Sequence, residues 1–309
     1  MSSLLPSSPE SSMRASTAVA SYATALLSVA AIACTSATTK PRTLPHPVPQ
    51  PASASSMPTS WAFRYSAGTY RYTVQSSATI ELATDTATHK VPVTTTTSYT
   101  LTVTPSANGQ LAVSGIADSL VVARGAEIPA PQEDSSQGHS PVPFSATITA
   151  TGDVLGFQGA QALSCDSAMD LRAAEARELF IGVPQSLSDS SQWDDSTSTT
   201  SCRGGVPVTT RALHHYQVAG QFSFDGTPAI QLRRTSTISI AGSGTPEHRT
   251  NGTFALNGTG TSSATLYLDP QSGVFLGGSS TSRADIIITT ARGQLPFHQE
   301  VQEEIHLQH

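Results

Sequence analysis

The strongest constraint on this chain is a two-residue rhythm that starts near Trp61 and runs almost to the C-terminus. Tyr70, Tyr72 and Val74 alternate with polar residues, as do Tyr99, Leu101 and Val103, and then Leu111 and Val113. Phe222, Phe224, Ile230, Leu232, Ile238 and Ile240 keep the same habit. Successive side chains of a strand point to opposite faces, so this rhythm reads as half-buried β-strands. Asn108-Gly109, Gly152-Asp153, Asp225-Gly226 and Asp269-Pro270-Gln271-Ser272-Gly273 each stand between two such runs. They are turn sequences of the hairpin kind. The expected fold is mainly β, with one or more large antiparallel sheets built from hairpins and no βαβ unit.

Composition agrees and removes whole classes. Ser and Thr make up 84 of the 309 residues, charged residues are 12%, and lysine occurs only at Lys40 and Lys90. Thr and Val favour strands. Coiled coils and helical repeats need periodic Ala/Glu/Lys/Leu-rich stretches that are absent here. A net charge of −6 leaves no basic surface for nucleic acid.

The N-terminus reads as an address. Met1 to Glu10 are polar and carry no positive charge, whereas Met13 and Arg14 begin a short basic region that points to Met13 as the true start. An apolar stretch from about Thr17 to Ala33 follows and ends in small residues before Cys34. Ala31-Ile32-Ala33-Cys34 resembles the lipobox of bacterial lipoproteins, with Ala31 where that family prefers Leu. The resemblance implies a signal peptide over 1–33, cleavage before Cys34 and a diacylglycerol on its thiol. Thr35 after the Cys implies sorting to the outer membrane. An ordinary secretory signal and an uncleaved anchor are the alternatives. Residues 34–60 follow as a tether carrying Pro41, Pro45, Pro47, Pro49, Pro51 and Pro58, a polyproline-type spacer of roughly 3.1 Å per residue.

With Cys34 assigned to lipid, Cys165 and Cys202 remain. In an exported chain such a pair is expected to form a disulfide, closing a loop of about 37 residues. No C-x-x-C or suitably spaced His accompanies them, so a zinc site is not expected.

The domain 61–309 carries hints of duplication. Val91-Pro92-Val93-Thr94-Thr95 recurs as Val206-Pro207-Val208-Thr209-Thr210, and Ser145-Ala146-Thr147-Ile148 resembles Ser263-Ala264-Thr265-Leu266. The offsets suggest similar halves over about 61–160 and 190–305; chance matching in a Thr/Val/Ala-rich chain is the alternative. Between them lies one expected helix, about 167–181. Ser167 to Asp170 has capping-box spacing, Met169, Ala173, Ala176 and Phe180 form an apolar stripe, and Gly182 and Pro184 end it. Residues 124–143 and 186–202 read as surface loops, the second holding Trp193 among Asp189, Asp194 and Asp195. The passage from Phe180 through Pro184 and Trp193 to Val206 resembles a segment of uncharacterised β-rich bacterial lipoproteins, with Asp189-Ser190 where those carry Gly. It implies nothing chemical.

There is no G-x-S-x-G, S-x-x-K, H-E-x-x-H or G-x-x-x-x-G-K motif. Gly258-Thr259-Gly260 lacks the rest of a dinucleotide fingerprint. His214 and His215 are neighbours on a strand and point to opposite faces, so they do not share an ion. His298, His306 and His309 gather near the C-terminus, and the three Asp residues lack calcium-loop spacing. Asn251-Gly252-Thr253 and Asn257-Gly258-Thr259 match glycosylation sequons, incidental in a bacterial chain. No catalytic residue, metal or cofactor is expected. The expected function is that of a lipid-anchored envelope protein, facing the periplasm or surface, whose β domain binds a lipid, a glycan or an envelope partner. A structural or assembly role without small ligand is the alternative, and an envelope hydrolase a more distant one.

Overall fold

The computed structural model describes residues 60–83, 88–124, 140–163, 165, 168–203, 205–245, 252–291 and 293–308. Cys34, the tether and the signal-like segment lie outside the described residues, as do most of the 124–143 stretch, Asn251 and His309.

The chain is mainly β. After a short strand β1 (Ser60–Ala62) come β2 (Gly68–Ala83), β3 (Thr88–Pro105), β4 (Leu111–Arg124), β5 (Val142–Ile148) and β6 (Val154–Gly159). A connecting segment then holds the short helix α1 (Leu171–Glu175), a 3₁₀ turn over Ala176–Leu179 and the strand β7 (Ser186–Ser188). The second series is β8 (Gln192–Arg203), β9 (Val206–Phe224), β10 (Thr227–Gly244), β11 (Phe254–Leu268), β12 (Phe275–Thr290) and β13 (Gly293–Gln308).

Eleven of these strands form one curled antiparallel sheet, a half-barrel, in the order β6-β5-β4-β3-β2-β13-β12-β11-β10-β9-β8. Each series is a simple meander, and the two meet where β13 pairs with β2. Val91–Thr95 lies in β3 and Val206–Thr210 in β9, while Ser145–Ile148 lies in β5 and Ser263–Leu266 in β11. The turns behave as their chemistry dictates. Asp225 and Gly226 both have positive φ, at 49° and 82°, as a type I′ hairpin needs. Bulges at Ser98/Tyr99, Thr147/Ile148, Gln231/Leu232 and Tyr267/Leu268 add local twist and bend that suit a curled sheet.

The curl brings the two sheet edges, β6 and β8, to either side of the connecting segment, which seals the seam between them. Met169 bridges Gln161, just after β6, in the antiparallel sense and Ser201 of β8 in the parallel sense. Its N–H donates to the Thr200 carbonyl at 3.0 Å, and the Cys202 N–H donates to the Met169 carbonyl at 2.9 Å. The sulfurs of Cys165 and Cys202 stand at disulfide distance on the same end of the seam, with Cα atoms 5.7 Å apart. At the other end the Val183 N–H donates to the Thr151 carbonyl at 3.0 Å, and Trp193 Nε1–H donates to the Gly182 carbonyl at 2.8 Å. Between these two fastenings α1 packs into the curl. Ala173, Ala176, Leu179 and Phe180 join Tyr99, Phe144, Tyr216, Leu232 and Phe275 in the main core.

Two expectations are corrected. The helix is shorter than 167–181, because the chain on its N-terminal side is drawn into strand-like pairing at Met169. The cap is then Asp170, whose carboxylate accepts the Arg172 N–H. Residues 186–202 are not a loop: they form β7 and most of β8, with only the turn around Asp189 between them.

Candidate functional site

The inward face of the sheet is banded. The main core fills one end of the curl, beneath α1 and the 180–187 stretch. Toward the other end are separate aliphatic clusters: Val206, Val208, Ile240, Leu256, Ile286 and Ile288 in the C-terminal series, and Val91 and Val93 with Ala78, Ile80 and Leu120 in the N-terminal one. Register places a polar belt between them. Along β9 the residues sharing one face run Val206, Val208, Thr210, Ala212, His214, Tyr216 and Val218, with His214 opposite Ser236 of β10 and Asp195 of β8.

The charged members of this belt converge from elements distant in sequence. Arg234 of β10 donates from Nη1 to Glu178 Oε2 at 2.8 Å, with only 11% of its side chain exposed. Burial alone would raise the Glu178 carboxyl. Arg234, His214 and Arg177 outweigh it and hold the group below the usual carboxylate range, and the same pairing holds the guanidinium of Arg234 more firmly protonated. Glu175 at the end of α1 and Glu303 of β13 have no comparable partner. Desolvation pushes each up to about 7, and the like charges of Glu175 and Glu178 raise Glu303 further, as Asp170 does Glu175. Arg203 is depressed by burial and partly restored by Glu175. Yet Glu175 is water-accessible and Glu178, Arg203 and Glu303 are only partly buried. These groups interact with one another and are still reached by water, so they form a water-reached polar recess in the belt and not a sealed core.

Three features of the recess bear on what it could hold. Arg203 Nε and Arg234 Nε are buried donors with no hydrogen-bond partner. Tyr99, fully buried, points its hydroxyl to the Arg172 carbonyl at 3.3 Å, and its ionisation is pushed up by burial and then by Glu175 and Glu303. His214 is held on both ring nitrogens, Nδ1 2.8 Å from Ser236 Oγ and Nε2 3.1 Å from Thr197 Oγ1, and burial lowers its pKa. The recess therefore offers unmatched N–H donors and carboxyls that take up protons near neutral pH, flanked by apolar surface on both sides.

Among the described residues, the histidines and aspartates singled out in the sequence are spread over several strands and turns. His214 is buried while His215 is exposed and bonded to Asp194 at 2.8 Å, on opposite faces as strand geometry demands. His298 pairs with Asp285 at 2.9 Å, and His306 lies 3.8 Å from Asp225. Asp189 sits in the turn before β8, apart from the alternating Asp194 and Asp195. Among the described residues no group of three or more His, Cys, Asp or Glu is placed to hold a metal ion. Gly258 and Gly260 lie inside β11 and form no phosphate loop. Among the described residues no helix is long and apolar enough to cross a membrane, which leaves membrane-crossing strands unaddressed.

The unpaired carboxyls set a pH dependence. Between about pH 4.5 and 7 the folded protein keeps protons on Glu175 and Glu303 that the unfolded chain releases, so these groups cost stability as pH rises through that window. His214 acts in the opposite sense below its ordinary 6.5. Comparing Glu303→Gln with the parent cancels the histidine. The variant is expected to unfold at the same temperature as the parent near pH 4 and to be more stable at pH 8 by roughly 1–2 kcal/mol, a value discounted for water in the recess. Thermal unfolding at both pH values checks this, and an unchanged difference across pH would refute the assignment.

The fold defines a mainly β protein whose curled sheet carries a polar belt between apolar clusters. No protein-family model matches the chain, and no curated protein matches it.

Proposed function

We propose that this protein is a membrane-tethered binding protein of the cell envelope, anchored through Cys34, that holds one amphipathic lipid-like molecule inside the curl. The observation that carries the reading is the recess itself: two unmatched arginine Nε donors and protonatable carboxyls between apolar clusters. A ligand with an acceptor-bearing head and an aliphatic tail satisfies both kinds of surface at once, as small-molecule sites do with a few polar groups in an apolar lining. The two series of strands each contribute aliphatic side chains to the inward face, and the α1 segment closes the opposite end. The lipobox-like Ala31–Cys34 and the proline-rich tether support a protein held near a source of such molecules. Native mass spectrometry of the exported, detergent-free protein tests the proposal. A reproducible added mass of lipid size, lost on Arg203→Gln, supports it. A clean ligand-free mass, together with no uptake from mixed phospholipid vesicles, overturns it.

A further inference from the structure

A cavity lies at the seam, where the 180–185 stretch runs between the β5–β6 turn and the start of β8. It measures about 780 Å³, within the 300–1,000 Å³ span of small-molecule sites. Its lining includes Phe63, Arg64, Asp153, Trp193, Asp194 and Asp195. We infer that this cleft is a saccharide-binding site, with Trp193 as its platform and the aspartates as hydroxyl acceptors.

Trp193, near the start of the edge strand β8, is fastened by two contacts. Its ring stacks on Tyr216 with centroids 5.0 Å apart and planes 6° from parallel, and its Nε1–H is tied to the Gly182 carbonyl. Phe63 is buried beside it. A flat apolar surface held still costs little entropy when a ligand lies on it. Around it stand three carboxylates and one guanidinium. Asp153 is fixed by the Thr149 and Thr151 hydroxyls, at 2.8 and 2.9 Å, and Asp195 by the Ser196 N–H at 2.7 Å. Asp194 and Asp195 are successive on β8, so they reach the cleft from the two faces of the strand.

This lining selects among ligands by chemistry. Three acids against one arginine repel phosphates and carboxylates. An acyl chain would desolvate the rim charges without pairing them. A pyranose fits both halves of the lining: its C–H face packs on an aromatic ring, and its equatorial hydroxyls donate to ionised Asp and accept from Arg. Asp195 also stands opposite His214 in the polar belt, but none of Glu175, Glu178, Arg203, Arg234 or Glu303 lines the cleft, so loss of sugar binding would leave the amphipathic-ligand proposal untouched.

The test is a titration of the full exported chain with cellotriose, maltotriose and tri-N-acetylchitotriose. It is read by tryptophan fluorescence and by saturation-transfer NMR on the sugar protons. Trp61 is buried, which leaves Trp193 as the reporter in the cleft. We expect saturable binding of at least one trisaccharide, weakened about tenfold or more by Asp195→Asn, since a hydrogen bond to a charged group is lost. Asp194→Ala, at an exposed side chain, gives a second variant that leaves the fold intact and weakens binding in the same direction. Retention of the protein on insoluble peptidoglycan sacculi would identify a polymer of the envelope as the source, and trisaccharide binding without retention a free saccharide. No saturable response to any of the three sugars and no retention on sacculi overturns the inference. So does sugar binding that both variants leave unchanged, or saturation by tetramethylammonium alone.

Discussion

Replacing both Cys165 and Cys202 by serine is expected to lower the stability of the protein by roughly 3–4 kcal/mol, the loop-entropy value for a closed segment of this length. The two residues are 37 positions apart, and the enclosed chain is the connecting segment that seals the seam. Without the cross-link the unfolded ensemble gains the freedom of that whole stretch. The folded state keeps its hydrogen bonds from Met169 to Thr200 and from Cys202 to Met169. Cys165 and Cys202 also form a small apolar cluster with Ala168, set apart from the main core. Urea unfolding of the oxidised parent and the double variant measures the difference. Hydrogen exchange should show the Met169 and Cys202 amides opening first in the variant. A loss below about 1 kcal/mol, or uniform loss of protection across the sheet, would refute the seam-staple role.

The second large effect concerns Arg234. Changing it to Met removes the counter-charge of Glu178 and leaves three carboxyls, Glu175, Glu178 and Glu303, facing one recess. Breaking a buried pair from one side costs 3–5 kcal/mol in general. Glu178 is 37% exposed, so about 2–3 kcal/mol is the appropriate expectation at pH 8. The sign follows from linkage. In the parent, Glu178 adds stability above its ordinary pKa that is lost as pH falls through its lowered value. In Arg234→Met the carboxyl costs stability when ionised, so the deficit shrinks toward pH 4, where it is protonated. Adding Glu178→Gln to Arg234→Met should recover most of the loss at pH 8. A double variant no more stable than the single one would show that Arg234 acts through its hydrogen bond to Tyr216 instead of through charge.

The errors of sequence reading come from the same belt that makes the recess. Strand β8 was unreadable as a strand because its inward residues after Trp193 are Asp195, Thr197, Thr199 and Ser201. They face the polar interior, so the hydrophobic alternation that marks a half-buried strand is missing. The helix was over-extended because its apolar stripe is real, with Ala173, Ala176 and Phe180 buried, but its first member serves another partner. Met169 sits in a two-sided bridge that exists only once the sheet has curled. The buried face of β10, the Asp225-Gly226 turn and the opposed orientations of His214 and His215 are legible, because each depends on nearest-neighbour geometry alone. Phe222 and Phe224 of β9 do alternate, but they are half-buried in a separate cluster with Tyr267 and Leu276, while the buried face of β9 carries Tyr216 and Val218.

What the amino-acid sequence determined by itself is therefore local: the strand periodicity, the hairpin turns, the mainly β class and the apolar face of the connecting helix. These follow from steric and solvation rules acting within a few residues. Tertiary structure alone decided the order of the strands, the meeting of β13 with β2 and the closure of the seam. It also decided the gathering of Glu175, Glu178, Glu303, Arg203 and Arg234 in one recess. Each of those charges lies on a different strand or turn, and a lone charged residue in a strand looks the same whether it faces solvent or a polar recess. The curl of the sheet supplies the difference, since it turns one face of eleven strands inward and makes charges distant along the chain share one small volume.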